Sequence, residues 1–214
     1  MVPAPFEGAA TSGLLQTMGI HMKKNNLELR GTDHNDIGWS PQGELADIGA
    51  AKLLVPRDAG ETPKMIDNAT RHELLEYIRP RFRLDWRGHH GVAHWGRVET
   101  RGLALCKLTG ANPKVVVLFS IFHDSCRENE YTDPLHGTRG ARLAEQLHGK
   151  LFTASDAEMS LLIDACTRHS DGHLEADVTV QTCWDADRLD LPRVGIRPLP
   201  QFLCTEAAKG MIRR

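Results

Sequence analysis

No apolar run in this chain of 214 residues approaches the roughly 20 residues that span a membrane as a helix. The N-terminus has no basic stretch followed by an apolar core, so no secretory signal is read there. A basic excess is missing too: 26 Lys and Arg stand against 28 Asp and Glu, a formal charge of -2, which excludes nucleic acid binding driven by bulk charge. Cysteine is sparse. The five that occur (Cys106, Cys126, Cys166, Cys183, Cys204) are scattered, odd in number and free of any Cys-x-x-Cys, which argues against a disulfide framework and against a cysteine zinc site. The expectation is a cytoplasmic protein in a reducing compartment, with neither membrane nor nucleic acid as partner. Nothing in the sequence speaks to its oligomeric state.

Strand signals are scarce as well, and helix signals take their place. Thr70-Arg-His-Glu73 has the form of a capping box leading into Leu74, Leu75, Tyr77 and Ile78, with Pro80 as the stop. A second helix is expected from Val92 to about Leu108, closed by Gly110. Pro113 suits a first helical position, and the run from it to Phe122 is apolar on every face, which requires burial. Val115-Val116-Val117 alone favours a strand, and the helical neighbours decide for a helix. Asp133-Pro134 supplies a cap and a first-turn proline for a helix to Leu147, with Gly149 after it. Ser155-Asp-Ala-Glu158 is a further capping box for a helix to Arg168. Later helices are expected over Val178 to Leu191, ended by Pro192, and briefly near Thr205 to Met211. Residues 1–66 are rich in Gly, Pro, Asn and Asp and show no sustained period, so a loosely structured N-terminal extension of unknown role is expected there. The all-α domain is expected over 67–214, as a helical bundle.

Eleven histidines are the feature most out of proportion. Phe122-His123-Asp124 closes the apolar run, where an imidazole beside a carboxylate carries a desolvation cost that a cation or a hydrogen-bonded partner offsets. Around it, in order, stand His94-Trp-Gly-Arg97-Val98, Asp133-Pro-Leu-His136-Gly, Arg168-His169-Ser-Asp-Gly-His173 and Asp185-Ala-Asp187-Arg-Leu-Asp190. Imidazole and carboxylate together suit Mn, Fe, Co, Ni or Zn, and Mg less well. The ordered set spans about 30 residues from the first His to His-Asp and about 60 more to the closing aspartates. In that order and spacing it resembles the HD-domain superfamily of metal-dependent phosphohydrolases, over about residues 70–192.

The resemblance implies an HD-like helical bundle in which His94, His123, Asp124 and Asp187 hold a first ion. His136 and His169 are the additional ligands that two-metal members use, with Asp124 bridging both ions. Asp185 is the alternative to Asp187, and His173 the alternative to His169. The implied activity is hydrolysis of a phosphate ester, with nucleotides among the candidate substrates, through a metal-activated water and one or two divalent ions. Asp124 acts at the metal. Arg97, or another of Arg127, Arg139, Arg142 and Arg188, would bind phosphate oxygens. Glu128, with Glu130 and Asp133 beside it as alternatives, would protonate the leaving group. His89 and His90 are read as loop residues, and Trp86 and Trp95 as core or pocket wall. Two other readings stay open: a di-iron oxygenase with the same ligand order, and a regulatory module that binds a nucleotide without turning it over.

Overall fold

The computed structural model describes residues 65–213, so the expected N-terminal extension lies outside the described residues except for its last two. The described part is all α, and the one β feature in it is an isolated bridge between His148 and Phe152. Seven α-helices follow in order: α1 (Asn68–Ile78), α2 (Val92–Thr109), α3 (Pro113–Phe122), α4 (His136–Leu147), α5 (Asp156–Arg168), α6 (Val178–Arg188) and α7 (Glu206–Met211). Short 3-10 turns lie at Arg79–Arg81, Leu191–Val194 and Pro200–Phe202. None of these helices is long and apolar enough to cross a membrane.

α3 is the axis of the bundle. Asn112 caps it, its side-chain oxygen accepting from the Lys114 and Val115 amides, and Pro113 fills the first helical position. Every residue from Val115 to Phe122 is buried. Such a helix needs neighbours on all sides, and α2, α4, α5 and α6 supply them. Each large side chain buried here contributes about 1.5–3 kcal/mol of apolar transfer. The valine triplet is therefore helical because burial on every face outweighs its modest strand preference.

Three glycines set how closely the neighbours approach. A Cβ at Gly102 of α2 would meet Val116 Cγ1 at 2.4 Å. On α4, a Cβ at Gly140 would lie 2.2 Å from the Phe122 carbonyl oxygen, and one at Gly137 2.2 Å from that of Cys166. Gly137 and Gly140 sit one turn apart on the same face. They let α4 press against the C-terminal ends of α3 and α5, where His123 and His169 emerge.

Several helix ends differ from the sequence expectation. α1 is capped by Asp67, whose carboxylate accepts from the Thr70 amide at 2.8 Å, so the Thr70/Glu73 pair lies inside the helix. Asp133 does not cap α4, which begins at His136 after Leu135. Its carboxylate instead accepts from the Glu128 amide at 2.8 Å and pairs with Arg139, closing the loop between α3 and α4. α6 stops at Arg188, and Pro192 lies in the separate turn that follows. The Ser155/Glu158 capping box and the left-handed Gly110 and Gly149 are found as expected.

Candidate metal centre

Five helices bring their ends to one point. His94 comes from the first turn of α2 and His136 from the start of α4. His123 and His169 cap the C-terminal ends of α3 and α5, and Asp187 lies in the last turn of α6. All are buried, as is Asp124.

The histidines are oriented by their Nδ1 atoms. His123 Nδ1–H donates to the carbonyls of Phe119 (3.2 Å) and Ser120 (3.1 Å) at the end of α3, where the His123 amide also donates to Phe119 O. Its ring stacks on Phe119 at 4.9 Å. His169 Nδ1–H donates to Cys166 O at 2.7 Å, and His136 Nδ1–H to Asp133 O. His94 Nδ1–H donates to Asp190 Oδ2 at 2.8 Å. With Nδ1 used in each ring, the tautomer that remains turns an Nε2 lone pair inward.

Those inward atoms form two sets joined by one carboxylate. His94 Nε2 lies 3.1 Å from His123 Nε2, 3.3 Å from Asp187 Oδ1 and 3.6 Å from Asp124 Oδ2. His123 Nε2 is also 3.6 Å from Asp124 Oδ2 and 3.9 Å from Asp187 Oδ1. On the other side, His136 Nε2 lies 2.8 Å from His169 Nε2 and 3.2 Å from Asp124 Oδ1, while His169 Nε2 stands 3.8 Å from that oxygen. Metal–nitrogen bonds of about 2.0–2.1 Å imply ligand–ligand edges of about 3–3.4 Å, close to the shorter distances here. Facing lone pairs and buried carboxylates repel one another unless a cation or a proton lies between them. The residues therefore fit a divalent ion, and both sets have donors of suitable type and spacing.

Charges point the same way. Burial opposes ionisation of Asp124, yet His123, Arg127, His136 and His169 hold its carboxyl well below the usual range. Burial likewise opposes ionisation of Asp187, and His94 and His123 reverse it strongly. Burial presses His123 down to about 3 against the pull of Asp124 and Asp187. His94, equally desolvated, is nevertheless raised by hydrogen bonds to Asp187 and Asp190. The same split separates His136, lowered by burial, from His169, which Asp124 raises against burial.

A second layer holds the first. Asp190, 1% exposed, accepts from His94, from Arg97 Nε at 2.9 Å and from Arg101. Arg97 is thereby tied to a carboxylate behind His94, with its outer face on a neighbouring cleft. Arg127 is buried against the cluster, with Nη1 2.9 Å from His136 Nε2. Glu128 is not brought there: it is exposed and pairs with Arg83 at 3.0 Å. Asp185 turns the other way, accepting from the Cys204 and Thr205 amides at 2.7 and 2.8 Å and from the Thr205 hydroxyl. Arg188 binds the carbonyls of Phe202 and His173, and Arg139 binds Cys126 O, while Arg142 and His173 are exposed.

Beside the cluster lies a cleft of about 1170 Å³ whose wall includes Arg87, Arg97, Arg101, Arg193, His90 and Glu130. A smaller cavity of about 30 Å³ against Asp124, His136, His169 and Asp187 shares His90, Arg193 and Val194 with it. His90 is a site-lining residue that sequence reasoning passed over. It is buried, with Nδ1 hydrogen-bonded to Glu130 Oε2 at 2.5 Å, and Trp95 Nε1 holds its backbone carbonyl at 2.9 Å. It lies in the turn before α2, with its ring centroid 6.5 Å from that of His94. Trp86 and Trp95 pack edge to face with Phe82 and with each other, Trp95 in the core and Trp86 against it.

No family model matches the chain, and neither the curated proteins nor the solved structures yield a match.

Proposed function

We propose that the chain is an HD-type, metal-dependent phosphohydrolase acting on a phosphate ester, with nucleotides among its candidate substrates. The observation that supports this best is the convergence of four inward Nε2 atoms on two sides of Asp124 beside an arginine-walled cleft. His94, His123, Asp124 and Asp187 would hold the ion. A divalent ion in that position supplies Lewis acidity toward a phosphoryl oxygen and acidifies water near neutral pH.

The remaining roles belong to the chain's own groups. Arginines of the cleft, with Arg97, Arg101 and Arg193 nearest Asp190, offer forked donors to phosphate oxygens. Asp190 holds His94 in the tautomer that faces the ion. His90 has a pKa lowered chiefly by burial, so near neutral pH its Nε2 is free to accept a proton while Nδ1–H stays on Glu130. As the water oxygen bonds to phosphorus, His90 Nε2 takes a proton from it, and Glu130 stabilises the imidazolium that forms. The bond from phosphorus to the leaving oxygen, on the opposite side, breaks; that oxygen takes a proton from solvent in the cleft, and His90 gives its own back to solvent. Glu130, rather than Glu128, is the acidic residue suited to this part.

The test is release of inorganic phosphate from a panel of phosphomonoesters and nucleotides with Mn, Co, Ni and Mg each added. Turnover with at least one of them, abolished in His123→Ala, is expected. Absence of turnover with every metal counts against the reading. A di-iron oxygenase needs His136 and His169 to be free for a second ion, and the Arg127 contact with His136 speaks against that.

A further inference from the structure

We propose that Arg127 is a resident cation occupying the second half of the centre, so that the folded chain takes one divalent ion rather than two. The inference rests on the metal site of the preceding section and not on its chemistry. Arg127 Nη1 lies 2.9 Å from His136 Nε2 and 3.4 Å from Asp124 Oδ1, two of the three atoms that a second ion would use. A lone pair that accepts an N–H from a guanidinium is not available to a metal. One nitrogen of the second set is therefore spoken for, and its carboxylate oxygen already faces a positive charge.

The guanidinium is also held in place. Nε donates to Asn129 O at 3.0 Å and Nη2 to Tyr131 O at 3.4 Å, and the residue is 4% exposed. Both carbonyls belong to the loop between α3 and α4, so withdrawing the side chain would mean breaking that loop's own bonds. The cavity of about 30 Å³ that Arg127 shares with both sides of the centre has room for about one water. A second ion would stand next to a fixed positive charge in a poorly screened interior.

The other half has the opposite balance. Among the described residues, the ion-pair partners of Asp187 are His94 and His123, with no lysine or arginine nitrogen within ion-pair distance. A buried carboxylate paired directly only with imidazoles, with Arg193 acting on it from beyond ion-pair distance, is where a cation is missing. Arg127 then supplies permanently, at any pH, the positive charge that a second ion would bring to Asp124 and His136, and it has no redox state to change.

The experiment is metal content of the full chain after loading with Mn²⁺ and desalting, by elemental analysis, with the Mn²⁺ electron paramagnetic resonance spectrum as a second readout. Wild type is expected to hold about one ion, with the spectrum of an isolated centre; His136→Ala about one; His123→Ala about none; and Arg127→Met about two, with a coupled spectrum. Two ions in wild type, loss of an ion in His136→Ala, or a folded Arg127→Met that still holds one would each overturn the proposal. Where Arg127→Met does not fold, wild type and His136→Ala decide alone: one ion in both supports it, and two falling to one overturns it. An unloaded wild type overturns both this and the hydrolase reading. One ion as described, with no turnover on any ester, removes the hydrolase and leaves Arg127 where it is.

Discussion

The two sides of Asp124 are built from the same parts and end in different electrostatic states. Each has two histidines whose Nδ1–H is fixed and whose Nε2 faces inward. The side of His94 and His123 adds the carboxylate of Asp187, with Asp190 behind it, while the side of His136 and His169 adds the guanidinium of Arg127. A ligand set read only as residue types is therefore an incomplete statement of affinity: what stands beside the lone pairs decides whether a cation is needed there or already present.

Removing His123 should separate the two sides most sharply. His123→Ala deletes a ligand of the anionic side only, and a loss of metal affinity greater than about 100-fold is expected, since outer-layer partners alone are worth about 10–100-fold. Titration with Co²⁺ followed by its visible spectrum measures it. Retained tight binding would move the ion to the other side.

Asp190→Asn keeps every ligand and alters only what orients His94, so a weakening of about 10–100-fold is expected in the same titration. Binding unchanged from wild type would mean that Arg97 and Arg101, not His94, are the reason for this buried carboxylate.

Gly140→Ala acts on the other side. A Cβ would sit 2.2 Å from Phe122 O, pushing α4 and His136 outward at a cost of about 1–3 kcal/mol. Urea unfolding should show the loss, while the metal stays bound. Loss of metal together with stability would show that the two sides are not separable.

Acid should weaken the metal-stripped fold through both sides. His90, His123 and His136 are held below the ordinary 6.5, chiefly by burial, with His123 at about 3. Below pH 6.5 the unfolded chain takes protons there that the folded chain refuses, so stability falls with pH by up to about 1.4 kcal/mol per unit for each. His94 and His169 are raised, so their contribution is complete below 6.5 and adds no slope. The depressed carboxylates lose theirs only below their ordinary 3.8. Urea midpoints at pH 6.5, 5.5 and 4.5 should therefore decline, and a flat profile would mean that these rings charge inside the fold.

The smallest effect is expected at Glu128, whose exposed pair with Arg83 is worth about 0–1 kcal/mol. Glu128→Gln should keep turnover within about twofold on any ester the wild type cleaves. A large loss would restore it as the leaving-group acid.

Most helices were legible because their signals are local. A proline at the first turn, the Ser155/Glu158 box, Gly110 and Gly149 act within four residues of themselves, and an apolar run leaves no polar face for solvent. Where the reading slipped, a polar side chain had a stronger partner than the local one: Asp133 serves Arg139 and the Glu128 amide instead of capping α4. The order of the candidate ligands was also legible, because each stands next to a helix end that local signals mark.

Sequence alone thus determined the helical class, the buried axis through Phe122 and the set of histidines and carboxylates worth considering. Only the tertiary structure decided between Asp187 and Asp185, put Arg127 on His136, placed Asp190 behind His94 at a separation of 96 residues, and drew His90 with Glu130 to the edge of the cleft. The physical reason is that a carboxylate two positions along a helix turns by about 200° and meets a different neighbour. Which neighbour that is depends on how closely helices pack, and here glycines at 102, 137 and 140 set that distance without any chemistry of their own.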